Sequence, residues 1–214
     1  MDRQQRKQHW ERVWAEREET TTSWFQDRPE VSLGLIERSG VWRDDPLIDV
    51  GGGASRLVDH LLQLGFSDLT VLDVSAAGLQ RARRRLGTRA SAVHWLECDV
   101  TAFRPARTYR LWHDRAVFHF LRDPDDRACY LAALDAALTA DGQAVIATFG
   151  PEGPLKCSGL DTVRYGAAEL AAELGSGWRL VEECAETHYT PADRAQQFGY
   201  FRFCRAPVRV AETR

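Results

Sequence analysis

Three short stretches of the chain hold residues whose types and spacing could do chemistry. The first is Asp49-Val50-Gly51-Gly52-Gly53-Ala54-Ser55, a run of glycines placed directly after the apolar stretch Leu47-Ile48-Asp49-Val50. A strand, a glycine turn and a helix N-terminus together make an anion- and nucleoside-binding site, because glycine lets the backbone approach a ligand and the free N–H groups of the helix point at it. Asp73 ends a second apolar stretch 22 residues after Gly51, where an acid can accept both hydroxyls of a ribose. The second stretch, His113-Asp114-Arg115-Ala116-Val117-Phe118-His119, offers two imidazoles that titrate near neutrality, so His113 and His119 are the candidate bases. Asp114 reads as a backbone anchor and Arg115 as its salt-bridge partner. The third is Lys156-Cys157 in a Gly/Pro-rich loop, a cation beside a thiol, which favours the thiolate and could also steer an anionic ligand.

Alternating strands and helices must position these residues. Strands are predicted at 47–50, 69–74, 93–96, 109–113 and 144–149, with helices between them, the pattern of parallel strands joined by crossovers. Ser55 and Ser75 are the expected caps of the first two helices, and Arg81, Arg83, Arg84 and Arg85 are expected to form a solvated face of the second. Asp123-Pro124 opens a long helix to about Thr139, and Asp141-Gly142 turns the chain into the fifth strand. A helix near 167–174 precedes two strands, 178–184 and 197–204, with no room for a helix between them, so they should pair antiparallel. Ahead of the first strand, Trp10, Trp14, Trp24 and Phe25 sit on a highly charged helix and loop that must lie on something.

Composition removes several classes. The 214 residues suit one compact domain. A net charge of −3 gives no global positive field for nucleic acid. The N-terminus has no apolar signal region and no apolar run approaches the ~20 residues of a membrane span. Five scattered cysteines without a Cys-x-x-Cys pair argue against a disulfide framework or a metal site and fit a cytoplasmic setting.

The glycine stretch, Asp73 and Cys98-Asp99-Val100 resemble, in order, the motifs of the class I S-adenosylmethionine-dependent methyltransferases, with Ser55 standing where the family has its last glycine. The resemblance covers nearly the whole chain. It implies an α/β, three-layer Rossmann-like fold with a mainly parallel seven-strand sheet ending in an antiparallel hairpin. It also implies a single domain, with a helical lid and substrate region over residues 1–40, core over 41–206 and tail over 207–214. By the same resemblance the cofactor is S-adenosyl-L-methionine, leaving as S-adenosyl-L-homocysteine. Gly51, Gly52 and Gly53 would pass under its methionine part with Ser55 and His113 beside them, and Asp49 would order the turn or face its ammonium. Asp73 would hold the ribose, Asp99 the adenine amino group, and Val74 and Val100 the ring faces.

For the methyl acceptor the sequence offers Trp24 and Phe25 as a lid and Lys156 and Cys157 at the cleft rim. An Asn/Asp-Pro-Pro-Tyr signature and a Pro-Cys dipeptide are both missing, which disfavours nucleobase acceptors; a small molecule or a protein lysine remains. Two other classes compete. A nicotinamide-dependent oxidoreductase would want glycine where Arg56 stands, and a non-catalytic S-adenosylmethionine-binding protein would share every cofactor contact. Asp73→Ala should weaken nucleoside binding roughly 10- to 100-fold, since charge-assisted hydrogen bonds contribute about 1.5–3 kcal/mol. Asp68→Ala, in the turn before the same strand, is the control, and equal affinity of Asp73→Ala and the unaltered protein would remove the ribose assignment.

Overall fold

The structure, a computed structural model, describes residues 1–206; the tail expected at 207–214 lies outside the described residues. Helices α1 (Arg3–Glu16) and α2 (Glu30–Arg38) lead into β1 (Leu47–Val50), α3 (Leu57–Gln63), β2 (Leu69–Asp73), α4 (Ala76–Leu86), β3 (Val93–Glu97) and β4 (Tyr109–Arg115). Helix α5 (Pro124–Ala137), β5 (Leu138–Phe149), the ribbon β6 (Lys156–Cys157) and β7 (Leu160–Asp161), α6 (Ala167–Leu174), β8 (Trp178–Tyr189) and β9 (Ala195–Arg205) follow. The seven-strand sheet runs β3-β2-β1-β4-β5-β9-β8. Strands β1 to β5 pair in parallel, whereas β9 pairs antiparallel with β5 and β8. The fold is therefore the doubly wound α/β sheet with a terminal antiparallel pair that the sequence pattern implies. Among the described residues no helix is long and apolar enough to cross a membrane.

Parallel strands covered on both faces read as continuous apolar runs, which is why Leu47–Val50 and Leu69–Asp73 are buried throughout. One face packs Ile48, Val50, Trp112 and Ile146 against Tyr130 and Leu134 of α5 and Leu170 of α6. The other packs Leu47, Val71, Leu111 and Val145 against Leu35 and Ile36 of α2, Leu57 and Leu61 of α3, and Leu79 of α4. Helix α2 thus belongs to the core layers although it precedes residue 41.

Several boundaries differ from the sequence reading. Helix α3 starts at Leu57, with Arg56 at its cap position; Ser55 still serves it, its Oγ accepting from the Leu57 N–H at 3.2 Å. Strand β4 runs two residues further, to Arg115. The Asp141-Gly142 signal falls inside β5, where pairing shifts from Tyr109↔Leu138 to Leu111↔Gln143 and the four residues 139–142 are taken up as an irregularity rather than a turn.

The arginines of α4 are the larger correction. Arg81 donates to the Trp14 carbonyl at 2.7 Å. Arg85 bonds the carboxylates of Asp59 (2.7 Å) and Glu19 (2.7 Å) and the carbonyls of Ala54 and Ser55 (2.8 Å each). Its guanidinium therefore ties α4 to the end of the glycine turn; charge counting along a helix cannot see partners that lie on other elements. Arg85→Ala is expected to lower stability by about 2–3 kcal/mol in urea unfolding, as expected when partly buried charged partners are stripped of hydrogen bonds. Arg84→Ala, which loses one exposed bond to Gln80, should change it by less than about 0.5 kcal/mol.

Candidate active site

The carboxyl ends of β1, β2, β3 and β4 meet the β9 edge around a cleft of about 820 Å³. Ligands of open α/β sheets bind at this edge, where the strand order reverses; here the reversal lies between β1 and β4. Val50, Gly51, Asp73, Val74, Asp99 and Val100 line the cleft on one side. Ala116, Val117, Phe120, Cys157 and Phe198 line it on the other, and Trp10, Trp14 and Trp24 cover it. A second cavity, about 580 Å³, adjoins the glycine turn and shares Trp14, Trp24, Gly51 and Arg115 with the first.

The turn has to be glycine. Gly51 and Gly53 have φ of 70° and 45°, and a Cβ at Gly51 would lie 2.0 Å from Val117 Cγ2. Beneath it, Asp49 Oδ1 lies 2.7 Å from His113 Nδ1, and His113 Nε2 lies 2.9 Å from Ser32 Oγ on α2. A carboxylate accepts, so Nδ1 carries a proton toward Asp49, and the Ser32 hydroxyl can serve Nε2 as donor or acceptor. All three side chains are buried. His113 is thus committed to holding the turn, and its ring borders the second cavity rather than the main cleft.

Asp73 is buried at the cleft wall with Oδ1 accepting the Ser75 N–H at 2.7 Å. Loss of water pushes its carboxyl up to about 7, against the lowering effect of the Ser75 and Gly53 N–H groups. Asp99 is already engaged: Oδ1 accepts from the N–H and hydroxyl of Thr101 (2.9 and 2.8 Å) and Oδ2 accepts Arg6 Nε at 2.7 Å. One lone pair of Oδ2 remains for a ligand.

Helix α1 reaches the site through charge rather than an apolar stripe. Asp2 and Gln5 form a reciprocal capping box at its start. Arg6 bridges Asp99 and Asp126, Lys7 pairs with Glu97, and Glu11 accepts the N–H groups of Ala76 and Ala77 at the start of α4. Trp14 then lies against the glycines: a Cβ at Gly53 would meet its ring at 3.2 Å and one at Gly78 its Nε1 at 2.8 Å. Trp10 and Trp14 pack edge-to-face on Trp24, and Trp10 on Phe120.

The other expected residues divide. His119 is fully buried and borders neither cavity; its Nδ1 accepts the Phe149 N–H at 3.2 Å, and desolvation drops it to about 3, so it stays neutral and offers no base. Asp114 does anchor backbone, accepting from the N–H groups of Val117 and Phe118 and from Tyr130 Oη. Arg115 is not its partner, because successive strand residues face opposite ways; Arg115 instead donates to Tyr200 and to the Trp24 carbonyl. The same alternation separates Lys156, exposed and 3.5 Å from Asp161, from Cys157, which lines the cleft. Burial pushes the Cys157 thiol up to about 11, so the expected thiolate does not form. Phe25 borders the second cavity beneath the Arg56 guanidinium, while Trp24 borders both. Among the described residues no group of three His, Cys, Asp or Glu could hold a metal, and all five cysteines are free.

A glycine turn after the central strand, an acid after the next, a second acid beyond it and an antiparallel end to the sheet make up a doubly wound α/β fold with a cleft of the kind that takes a nucleoside. Residues 47–142 match the family described as a methyltransferase domain. Over those residues the chain is similar to methyltransferase domains, and its doubly wound sheet with an antiparallel end is a Rossmann-like fold. A mouse (Mus musculus) eEF1A lysine and N-terminal methyltransferase is 22% identical over 136 residues, 63% of this chain and 19% of the relative, so the chain spans about a fifth of that protein. The N-methyltransferase NodS of Bradyrhizobium japonicum WM9, solved with S-adenosylhomocysteine, superposes with a TM-score of 0.68 at 21% identity, covering 85% of this chain and 90% of that one. The 1,6-didemethyltoxoflavin-N1-methyltransferase of Burkholderia thailandensis does so with 0.66 at 20% identity, covering 91% and 81%. Both share the fold.

The raised Asp73 carboxyl sets a pH dependence. Hydroxyls of a ribose bound at Asp73 would donate to the ionised form, so affinity for adenosine should rise with pH up to the carboxyl's own value and level off above it. Between pH 6 and 8 the ionised fraction of a group titrating at about 7 grows roughly tenfold, and adenosine affinity measured by calorimetry should follow. In Asp73→Asn it should be weaker and flat across that range. An unchanged slope in Asp73→Asn would assign the titration to another group. With its carboxyl raised above the unfolded value, Asp73 costs stability progressively from about pH 4 to 7, so Asp73→Asn should also unfold at higher urea than the unaltered protein at pH 8.

Proposed function

We propose that the protein transfers a methyl group from S-adenosyl-L-methionine to a small-molecule acceptor held beneath the α1 and Trp24 cover. The observation that carries this reading is the continuous cleft joining Gly51, Asp73, Val74, Asp99 and Val100 to a further chamber at Ala116, Cys157 and Phe198. The residues fit the cofactor: the positive-φ turn brings bare backbone to the cleft at Gly51, Asp73 faces the cleft from the end of β2, and Asp99 keeps one lone pair free. S-adenosyl-L-methionine supplies an activated methyl on a sulfonium. Gly51 would lie under its methionine part, while Gly53, which lines neither cavity and has Trp14 against it, would shape the turn; Asp73 would accept from the ribose, Asp99 would accept from the adenine amino group, and Val74 and Val100 would flank the ring.

The protein's own contribution is position and exclusion of water. A sulfonium methyl needs no covalent enzyme nucleophile, and holding two reactants in line supplies about 7–11 kcal/mol. Cys157, protonated at neutral pH, then acts as wall rather than nucleophile. Neither His113 nor His119 reaches the cleft as a free base, so an acceptor whose reacting atom already carries a lone pair suits the site. The aromatic cover of Trp10, Trp14 and Trp24 favours a small acceptor over an extended peptide, although the mouse relative is named for methylating protein. The product S-adenosyl-L-homocysteine would leave by the same cleft. The nicotinamide reading loses support because Arg56, paired with Glu19 and Asp27, fills the place of the packing glycine. Calorimetry at pH 8 should give one site per chain for S-adenosyl-L-homocysteine and no heat for NAD or NADP; binding of NAD in preference would overturn the reading.

A further inference from the structure

The cleft is longer than a nucleoside requires. The residues suited to the nucleoside stand at β2 and β3, whereas the lining continues to Phe198 on β9. From β2 to β9 is four strand spacings, roughly 19 Å at the usual ~4.8 Å per neighbour.

Arg115 occupies that far end. Strand register aligns Arg115, Ala147 and Tyr200 across three strands, and the small Ala147 lets Arg115 Nε reach Tyr200 Oη at 2.8 Å. Nη1 donates to the Trp24 carbonyl at 3.1 Å, and the guanidinium lies 4.5 Å over the Phe198 ring. Nη2 is buried without a hydrogen-bond partner. The nearest acid, Glu186, is 3.9 Å away. That pair is beyond hydrogen-bond reach; Glu186 Oε2 accepts from Tyr200 at 2.6 Å and Oε1 from Gln26 at 2.7 Å, and Glu186 lines neither cavity, while Arg115 lines both. A guanidinium keeps its charge at any ordinary pH, so a buried edge without a partner is costly until an acceptor oxygen arrives. Around it the wall is aromatic or apolar: Phe120, Phe198, Trp10, Trp24 and the protonated Cys157.

We propose that this end is the methyl-acceptor subsite, and that its acceptor is a small aromatic molecule carrying a carboxylate, bound by Arg115 Nη2 with its ring packed among Trp10, Trp24 and Phe120. The inference rests on the methyltransferase reading, since that reading places the cofactor in the other half of the cleft. Three tryptophans on the cleft supply the signal for a test. With the protein saturated in S-adenosyl-L-homocysteine, benzoate should change the tryptophan fluorescence saturably and bind at least tenfold tighter than benzamide or benzylamine. In Arg115→Gln the preference for benzoate should vanish, and in Arg115→Lys it should be partly kept, because a single point charge replaces the planar fork. Equal binding of the three probes, preference for benzylamine, or no benzoate response up to 10-millimolar order would each overturn the inference with the wild-type protein alone. A loss of S-adenosyl-L-homocysteine affinity of more than about tenfold in Arg115→Gln would also overturn it, by moving the guanidinium to the cofactor's own carboxylate. Failure of the unaltered protein to bind S-adenosyl-L-homocysteine at all would instead strike the underlying methyltransferase reading.

Discussion

The Asp49 carboxylate is the point from which the site is built. It lies one residue before the end of β1, and a Cβ on Gly52 would come within 2.6 Å of its Oδ2, so the turn can close over it only without side chains. Its other oxygen holds His113 on β4, and His113 holds Ser32 on α2. One buried acid therefore fixes the turn, the neighbouring strand and a covering helix at once. Being adjacent strands in register, Asp49↔His113, the two residues face the same way without further arrangement.

Parity along β4 then distributes its roles. His113 and Arg115 share the face toward α2, where Arg115 continues to Tyr200 and Glu186. Asp114 faces the opposite layer, where Tyr130 Oη donates to it and receives the Trp112 Nε1–H at 2.9 Å. Even so bonded, Asp114 is raised to about 6 by burial, so this chain of bonds moderates rather than cancels the cost of an enclosed carboxylate. Both arrangements serve the segment 115–121 that forms the cleft floor. Ala116 there takes φ of 72°, a left-handed conformation uncommon outside glycine, held by its N–H on the Ala147 carbonyl at 2.8 Å.

Period and punctuation made the sheet readable. Short apolar runs, the glycine turn and the missing helix between the last two strands are local signals, and each corresponds to a strand, a turn or the antiparallel pair. That Gly51, Asp73 and Asp99 line one cleft was readable for the same reason, since they sit at or just beyond strand ends whose side is fixed by topology. What local pattern could not supply was partnership. Arg85 read as a surface charge because Glu19 and Asp59 are distant in sequence, and His119 read as reactive because nothing in its neighbours announces full burial. Alternation along β4 was the available signal for Arg115: two residues after His113, it had to share that face, and could not pair with Asp114. Similarly, Lys156 and Cys157 are neighbours in sequence but sit on opposite faces of a two-residue strand. The grip of α1 on Asp99 and Glu97 had no sequence signal beyond an unusually charged helix.

That grip has a consequence for the order in which the chain can fold. Helix α1 comes before every strand of the sheet in the chain, yet its docking surface is assembled from Glu97, Thr101, Asp126 and the start of α4. Polar along most of its length, with Arg6, Val13 and Trp14 as its buried side chains, it has little apolar surface with which to find a temporary place. Contacts that close long stretches of chain form late, after shorter ones have paid for part of the ordering. A helix that precedes the sheet in sequence is therefore among the last elements to settle, and the central sheet must be in place before its cleft acquires a roof.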